Sequence, residues 1–195
     1  MSKLFLDWKQ KAVKDGRGFN VTVGALSTGI LGGGAGTVIL IDLPELMISV
    51  PTGTVIMPFD IGVQCTVAAA VANHDINEIL IAADIVKATD GTGTMTTEVA
   101  YNLRRDASKT TACTVYSAFT AATTAPVNAM ELARKEQHWI LDGNGQTATR
   151  FDLLYHPEPP PLLVGPCCLL VYFGGTSATT GYIQAKWLEY DTADL

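Results

Sequence analysis

Apolar and polar residues alternate in short runs along most of the chain, starting after residue 18. In residues 61–67 the odd positions are apolar and the even positions are small or polar, as in a strand with one buried face. Glycine, proline, asparagine and aspartate separate the runs, as expected of turns between strands. The pattern predicts strands at residues 19–23, 38–41, 46–50, 54–70, 78–87, 95–102, 112–119, 138–141, 149–155, 162–173 and 182–190.

Turn-forming residues mark several boundaries between these predicted strands, at residues 51–53, 90–93, 142–145 and 174–176. One stretch, residues 127–137, has apolar residues at helical spacing and predicts a helix. Some eight to eleven strands without regularly alternating helices favour an all-β fold, a β-sandwich of jelly-roll type. No linker divides the chain, so we expect a single jelly-roll domain over residues 19–195.

The first 18 residues differ from the rest of the chain and are predicted to form an N-terminal arm or short helix. Leu4, Phe5, Trp8 and Ala12 lie at helical spacing, with lysines between them. Residues 1–17 carry a net charge of +3 and the remaining residues carry −9. A basic arm can bind nucleic acid or an acidic protein surface, but the acidic body disfavours nucleic acid. We therefore expect a protein partner and no nucleic acid.

A glycine-rich segment, GILGGGAGTVILID at residues 29–42, raises the question of phosphate binding. A phosphate-binding P-loop ends in Gly-Lys-Ser/Thr, whereas Gly36 is followed by Thr37 and Val38. A dinucleotide site requires a helix after the glycines, and the β-branched residues that follow predict a strand. The segment is expected to be a surface or interface loop.

Composition narrows the class of protein further. Apolar residues make up 48% of the chain and charged residues 16%, which indicates a folded protein with much surface covered by other protein. No apolar stretch is long enough to span a bilayer, and the N-terminus lacks the features of a signal peptide. Synthesis in a cytoplasm is therefore expected. The four cysteines have neither zinc-site nor disulfide-framework spacing, so buried free thiols are expected.

Residues with catalytic or metal-binding chemistry are scattered through the sequence. His74, Asp75 and Glu78 have the side chains of metal ligands but are expected in and beside a solvated turn. His138 and His156 have no Cys or His partner near them in sequence. No nucleophile elbow is present, and residues 142–153 lack the turn glycine and terminal glutamate of a calcium loop. We expect no enzymatic activity, no metal and no cofactor.

Three segments together resemble a known family: VTVGALSTGILGGGAGT, PELMISVPTGTVIMP and VYFGGTSATTGYIQAKWLEY. The resemblance is to the jelly-roll cement or decoration proteins on the outer capsid surface of tailed bacteriophages. It implies a trimer or similar cyclic oligomer that binds between neighbouring subunits of the major capsid protein and catalyses nothing. The expected location is the virion surface, after synthesis in the host cytoplasm.

Three functional hypotheses follow. The first is a structural virion protein that stabilises the head. In it Leu4, Phe5 and Trp8 contact the partner, and Lys9 and Lys11 form the polar rim; alternatively, the arm packs on its own sandwich and closes an edge. The second is a carbohydrate- or receptor-binding β-sandwich of a phage fibre or tail. The third, an enzyme on a jelly-roll scaffold, would require clustered histidine and glutamate ligands that the sequence does not show.

Overall fold

The computed structural model describes residues 7–25, 27–33, 39–67, 74–86, 95–120, 124–140, 149–176 and 179–194. One short helix precedes a series of antiparallel strands, and a 3₁₀ turn follows them at Thr192–Asp194. The helix and strands are α1 (Trp8–Lys14), β1 (Gly18–Val23), β2 (Ile30–Leu31), β3 (Leu46–Val50), β4 (Thr54–Val67), β5 (His74–Asp84), β6 (Thr96–Glu98), β7 (Tyr101–Asn102), β8 (Thr114–Ser117), β9 (Ala129–Ile140), β10 (Thr149–Tyr155), β11 (Leu163–Val164), β12 (Cys167–Gly175) and β13 (Thr179–Asp191).

Eight of the strands form a jelly roll. The first of the eight pairs with the last (β1 with β13), the second with the seventh (β3 with β12), the third with the sixth (β4 with β10) and the fourth with the fifth (β5 with β9). This is the pairing of one long hairpin, and rolling it up places β13 beside β4 and β12 beside β5. The two sheets, called here the β4–β13 sheet and the β5–β12 sheet, confirm the predicted jelly-roll sandwich.

The main core lies between the two sheets and follows from the alternation in the sequence. On β4, Ile61, Val63 and Cys65 are buried in this core, whereas Gln64 and Thr66 are exposed. The period of two therefore predicted correctly which face of this strand is inside.

The central strand β12 is buried on both faces, which explains its unbroken apolar sequence. One set of its side chains joins the main core, and the other set forms a second cluster on the outer face of the β5–β12 sheet. Ile39 and Phe119 pack against that second cluster. The Tyr172 hydroxyl donates a hydrogen bond of 2.9 Å to the carbonyl oxygen of Ile41. Residues 39–41 thus help to cover this face.

The predicted helix at residues 127–137 is wrong, because residues 129–137 belong to the edge strand β9. β9 pairs with β5, and the register shifts between Ile81 and Ala82, where Leu132 has no partner. Both Leu132 and Ala133 pack against the main core. Two adjacent inward residues break the strand alternation and imitate helical spacing, so the bulge hides the strand from a pattern search.

The predicted strand at residues 38–41 is also wrong over the described residues 39–41. Ile39 and Leu40 belong to no strand, and Ile41 lies in a turn closed by a hydrogen bond of 3.0 Å from the Leu43 amide to the Leu40 carbonyl. The apolar residues here cover the outer cluster instead of pairing with a strand. The predicted strand 95–102 is divided into β6 and β7, and the predicted strand 162–173 into β11 and β12.

Among the described residues, no helix has the length and hydropathy needed to span a bilayer.

His74 and Asp75 were expected in a turn, but they are the first residues of β5. The predicted turn at residues 51–53 is present, since the Thr54 amide donates to the Pro51 carbonyl and Gly53 has a φ of +87°. The predicted turns at 90–93 and 142–145 lie outside the described residues.

Candidate protein-binding surface

Helix α1 begins at a capping box that fixes the position of Trp8. The Gln10 amide donates to Asp7 Oδ1 at 2.7 Å, and the Asp7 amide donates to Gln10 Oε1 at 3.3 Å. These two bonds satisfy amides that the first turn of a helix leaves without partners. Trp8 is the first residue of the helix and is 47% exposed.

The other end of α1 is anchored to the sandwich. Ala12 is buried, Gly16 reverses the chain at a φ of +73°, and the Gly16 carbonyl accepts a hydrogen bond of 2.8 Å from Asn102. The Arg104 guanidinium donates to the Lys14 carbonyl at 2.7 Å. Because side chains of β7 and the residues after it satisfy these carbonyls, helix α1 and the turn that follows it are held against their own domain.

Two grooves flank Trp8. One, of about 410 Å³, lies between α1 and the C-terminal end of β13 and is lined mainly by Trp8, Lys11, Asp15, Arg17, Tyr190 and Asp194. The other, of about 530 Å³, is lined by Trp8, Met57, Glu158, Pro159 and Pro160. We call these two grooves and the tryptophan between them the Trp8 surface. An exposed indole therefore has concave surface on both sides of it.

Charged groups surround the Trp8 surface in oppositely charged pairs. Arg17 is paired with Asp194, which holds the pKa of that carboxyl below its usual range, and the guanidinium lies 4.9 Å from the centroid of the Tyr190 ring. Lys9 Nζ lies 3.2 Å from Glu158 Oε1 and 5.4 Å from the centroid of the Trp8 ring. The charges thus form a polar rim around an aromatic centre.

The sequence prediction located part of this surface. Trp8 and Lys11 line the grooves, and Lys9 contacts the Trp8 ring. Leu4 and Phe5 lie outside the described residues. Sequence reasoning missed Met57 and Tyr190, because only the fold brings β4 and β13 next to the helix. The proline run at residues 157–161 was the available local signal for the second groove.

In the described part of the chain, the other residues considered as metal ligands or as a phosphate site have structural roles. No group of three or more His, Cys, Asp or Glu side chains is placed to hold a metal ion among the described residues. His138 Nε2 lies 2.6 Å from Glu136 Oε1 on the exposed edge strand. The Gly33 amide of the glycine-rich loop donates to Glu45 Oε1 at 2.6 Å. Since a carboxyl group already accepts from this amide, the geometry disfavours phosphate binding there.

All four cysteines are free and buried, as predicted. Burial raises the pKa of each of three thiols above its ordinary value, that of Cys167 to about 11. A thiol with a raised pKa is a poor nucleophile at neutral pH, so these side chains fill the core and are not candidate catalytic groups.

Comparison with known proteins does not show a family for this chain. No protein-family model matches the chain, and no curated protein matches it. Among solved structures, the chain aligns weakly with the infectious bursal disease virus VP2 subviral particle, at 12% identity and a TM-score of 0.15. The alignment covers 93% of this chain and 40% of that chain, so this chain spans less than half the length of VP2. A likeness at this TM-score supports no functional inference.

Proposed function

We propose that this protein is a structural virion protein, a capsid cement or decoration protein that binds between subunits of the major capsid protein and stabilises the head. The observation that carries the proposal is the Trp8 surface, where an exposed tryptophan stands between two grooves inside a charged rim. The jelly-roll fold and the resemblance noted from the sequence are in keeping with it.

The composition of the Trp8 surface supports protein binding on physical grounds. Interface energy concentrates in tryptophan, tyrosine and arginine residues surrounded by a polar rim that excludes water. Trp8, Tyr190 and Arg17 are side chains of these types, and the ion pairs of Lys9 and Arg17 lie beside them. The capping box and the contacts of Asn102 and Arg104 fix the helix beforehand. A preorganised surface loses less entropy on binding.

The proposed assembly is a trimer on the outer capsid surface, with the Trp8 surface of each protomer against a capsid subunit. Leu4 and Phe5, which precede the helix, would extend the apolar contact, and Lys11 would contribute to its rim. This arrangement combines both hypotheses for the arm. Residues 7–17 pack on their own sandwich and also present Trp8 to the partner.

The test uses heads of the virus that encodes the chain, prepared with and without its gene. Electron cryomicroscopy of heads with the protein should show density for it on the outer surface between capsid subunits, with α1 at the contact. Heads without it should open at a lower temperature, and adding the purified protein should restore their stability. Heads that lack such density and open at the same temperature with and without the gene would overturn the proposal.

A further inference from the structure

The outer face of the β4–β13 sheet carries a third groove, separate from the two grooves of the Trp8 surface. It holds about 250 Å³. The strand register centres it on Gly62 of β4, with Leu154 of β10 on one side and Gln184 of β13 on the other. Asp60 and Gln64 bound it along β4. Since strands are about 4.8 Å apart and rise about 3.4 Å per residue, the opening measures about 10 Å by 14 Å.

Gly62 makes this groove, and packing does not require glycine there. A Cβ at position 62 would meet the Leu154 side chain at 3.7 Å, an ordinary van der Waals distance. At Gly181 on the adjacent strand, by contrast, a Cβ would lie 2.9 Å from the Gln64 carbonyl oxygen. Glycine weakens a strand interior and often marks a place where a ligand approaches the backbone closely. The effect of Gly62 is to leave the sheet surface open.

An aromatic ring and an exposed leucine supply apolar surface to the groove. The ring of Tyr182 rests against Gly24, where an added Cβ would lie 2.8 Å from Tyr182 Cδ1 and where φ is +102°. That backbone conformation itself favours glycine. The absence of a side chain at Gly24 leaves room for the Tyr182 ring to pack against the backbone there. Leu154 is 61% exposed on the opposite side of Gly62.

The polar groups of the groove offer both donors and acceptors without a net charge. In the described part of the chain, the side-chain amides of Gln64 and Gln184 have no hydrogen-bond partner, and each can donate and accept. Asp60 is already paired with Lys186, at 2.6 Å. A phosphate or carboxylate ligand would need a free cation, and this lysine is occupied. The groove therefore suits a neutral ligand that carries hydroxyl groups.

We propose that this groove binds a neutral oligosaccharide. A pyranose ring has an apolar C–H face, which packs against Tyr182 and Leu154, and a rim of hydroxyls, which hydrogen-bond with Gln64 and Gln184. Gly62 admits the ring to the sheet surface. This site does not depend on the capsid contact, because it lies on the outer face of the sheet and shares no residue with the Trp8 surface.

An array of neutral hexose and N-acetylhexosamine oligosaccharides tests the proposal, with sialylated and sulfated oligosaccharides as charged controls. The intact protein should retain neutral oligosaccharides in preference to charged ones. Titration with the strongest neutral binder should then give a Kd at least tenfold higher for Gly62→Val, which fills the groove with a side chain favoured in strands, while its Tm is not lowered. The matched control, Thr97→Val on the other sheet, should bind like the wild type.

A second pair of variants keeps the test decisive if Gly62→Val does not fold. Gln184→Ala and Tyr182→Ala remove a hydrogen-bonding group and the ring, and each should raise the Kd at least fivefold. The proposal is overturned if no neutral oligosaccharide is retained at millimolar concentration. Retention of charged oligosaccharides alone, or equal affinity of the wild type and the variants that fold, overturns it as well.

Discussion

At the scale of single residues, buried carboxyl groups connect loops to strands. Glu45 accepts hydrogen bonds from the Gly33 and Phe173 amides, at 2.6 Å and 2.9 Å. Glu189 accepts from the Ala112 amide at 2.9 Å. A carboxyl group with several acceptor positions can satisfy two backbone amides at once, so each of these side chains fixes a segment that no strand pairing holds.

Glu45 makes stability depend on pH. Burial raises its pKa to about 8, although hydrogen bonds from backbone amides act in the opposite direction. The unfolded chain releases this proton near pH 4.5, so the folded state binds more protons between these pH values and stability falls as pH rises. We expect the free energy of unfolding, measured in urea, to fall by about 2 to 3 kcal/mol from pH 5.5 to pH 7.5.

The matched variants for this prediction are Glu45→Gln and Glu158→Gln. Glu45→Gln should remove the slope, at the cost of one backbone hydrogen bond, whereas the exposed Glu158 should leave it unchanged. A free energy of unfolding that stays constant or rises over this pH range in the wild type would contradict the role given to Glu45.

The cysteines give a second prediction at this scale. Because all four thiols are buried, none should react with a thiol reagent such as 5,5′-dithiobis(2-nitrobenzoic acid) in the native protein within minutes at pH 7.5. Four should react after denaturation without reductant. Titration of only two thiols after denaturation would mean that a disulfide exists.

At the scale of elements, two glycines on the adjacent strands β4 and β13 differ in the space around them. Replacing Gly181 and replacing Gly62 should therefore change stability in opposite directions. A Cβ at Gly181 would lie 2.9 Å from both the Gln64 carbonyl oxygen and Phe173 Cζ, whereas a Cβ at Gly62 has room. Gly181→Ala should therefore destabilise the protein by about 1 to 3 kcal/mol. Gly62→Ala, its control on the neighbouring strand, should stabilise the protein by about 0.5 to 1 kcal/mol. Equal Tm changes in the two variants would show that the crowding at Gly181 is absent.

The sequence predicted elements well where one face alone is buried. Residues 61–67 of β4 alternate strictly, and the inward residues of this part were identified from the period of two. β9 was mistaken for a helix because its bulge turns Leu132 and Ala133 toward the same core, and because the charged residues of an edge strand also suit a helix. Pairing with β5 makes this segment a strand and not a helix. Local residue propensities do not predict this pairing, because it depends on the tertiary structure.

At the scale of the whole molecule, the sequence supplied the fold class but only part of the candidate site. Trp8 was identifiable because it is an aromatic residue in a basic amphipathic segment. Met57, Tyr190 and Pro160 come from distant segments, and the jelly-roll topology brings them to the helix. The same holds for the groove at Gly62, whose walls come from β4, β10 and β13. Sites made between strands depend on register, which local patterns do not give.

Self-association is predicted at this scale. The low share of charged residues, 16%, and the exposed apolar side chains outside the Trp8 surface favour contacts between copies of the chain. Sedimentation equilibrium at micromolar concentration should give a species near three times the 20.7 kDa of the chain. A single 20.7 kDa species under these conditions would contradict the proposed trimer.

The central claim is that the Trp8 surface binds the capsid, and one affinity measurement tests it most directly. Co-sedimentation measures how tightly the purified wild type, Trp8→Ala and Met130→Ala bind to heads that lack the protein. Met130 is exposed to a similar degree as Trp8, at 44%, but lies on the edge strand β9. Trp8→Ala should weaken binding by about 2 kcal/mol, or roughly 30-fold, since truncation of a central interface tryptophan removes much of the binding energy. Met130→Ala should bind like the wild type. Equal affinity of Trp8→Ala and the wild type, or no binding of the wild type, would contradict the account.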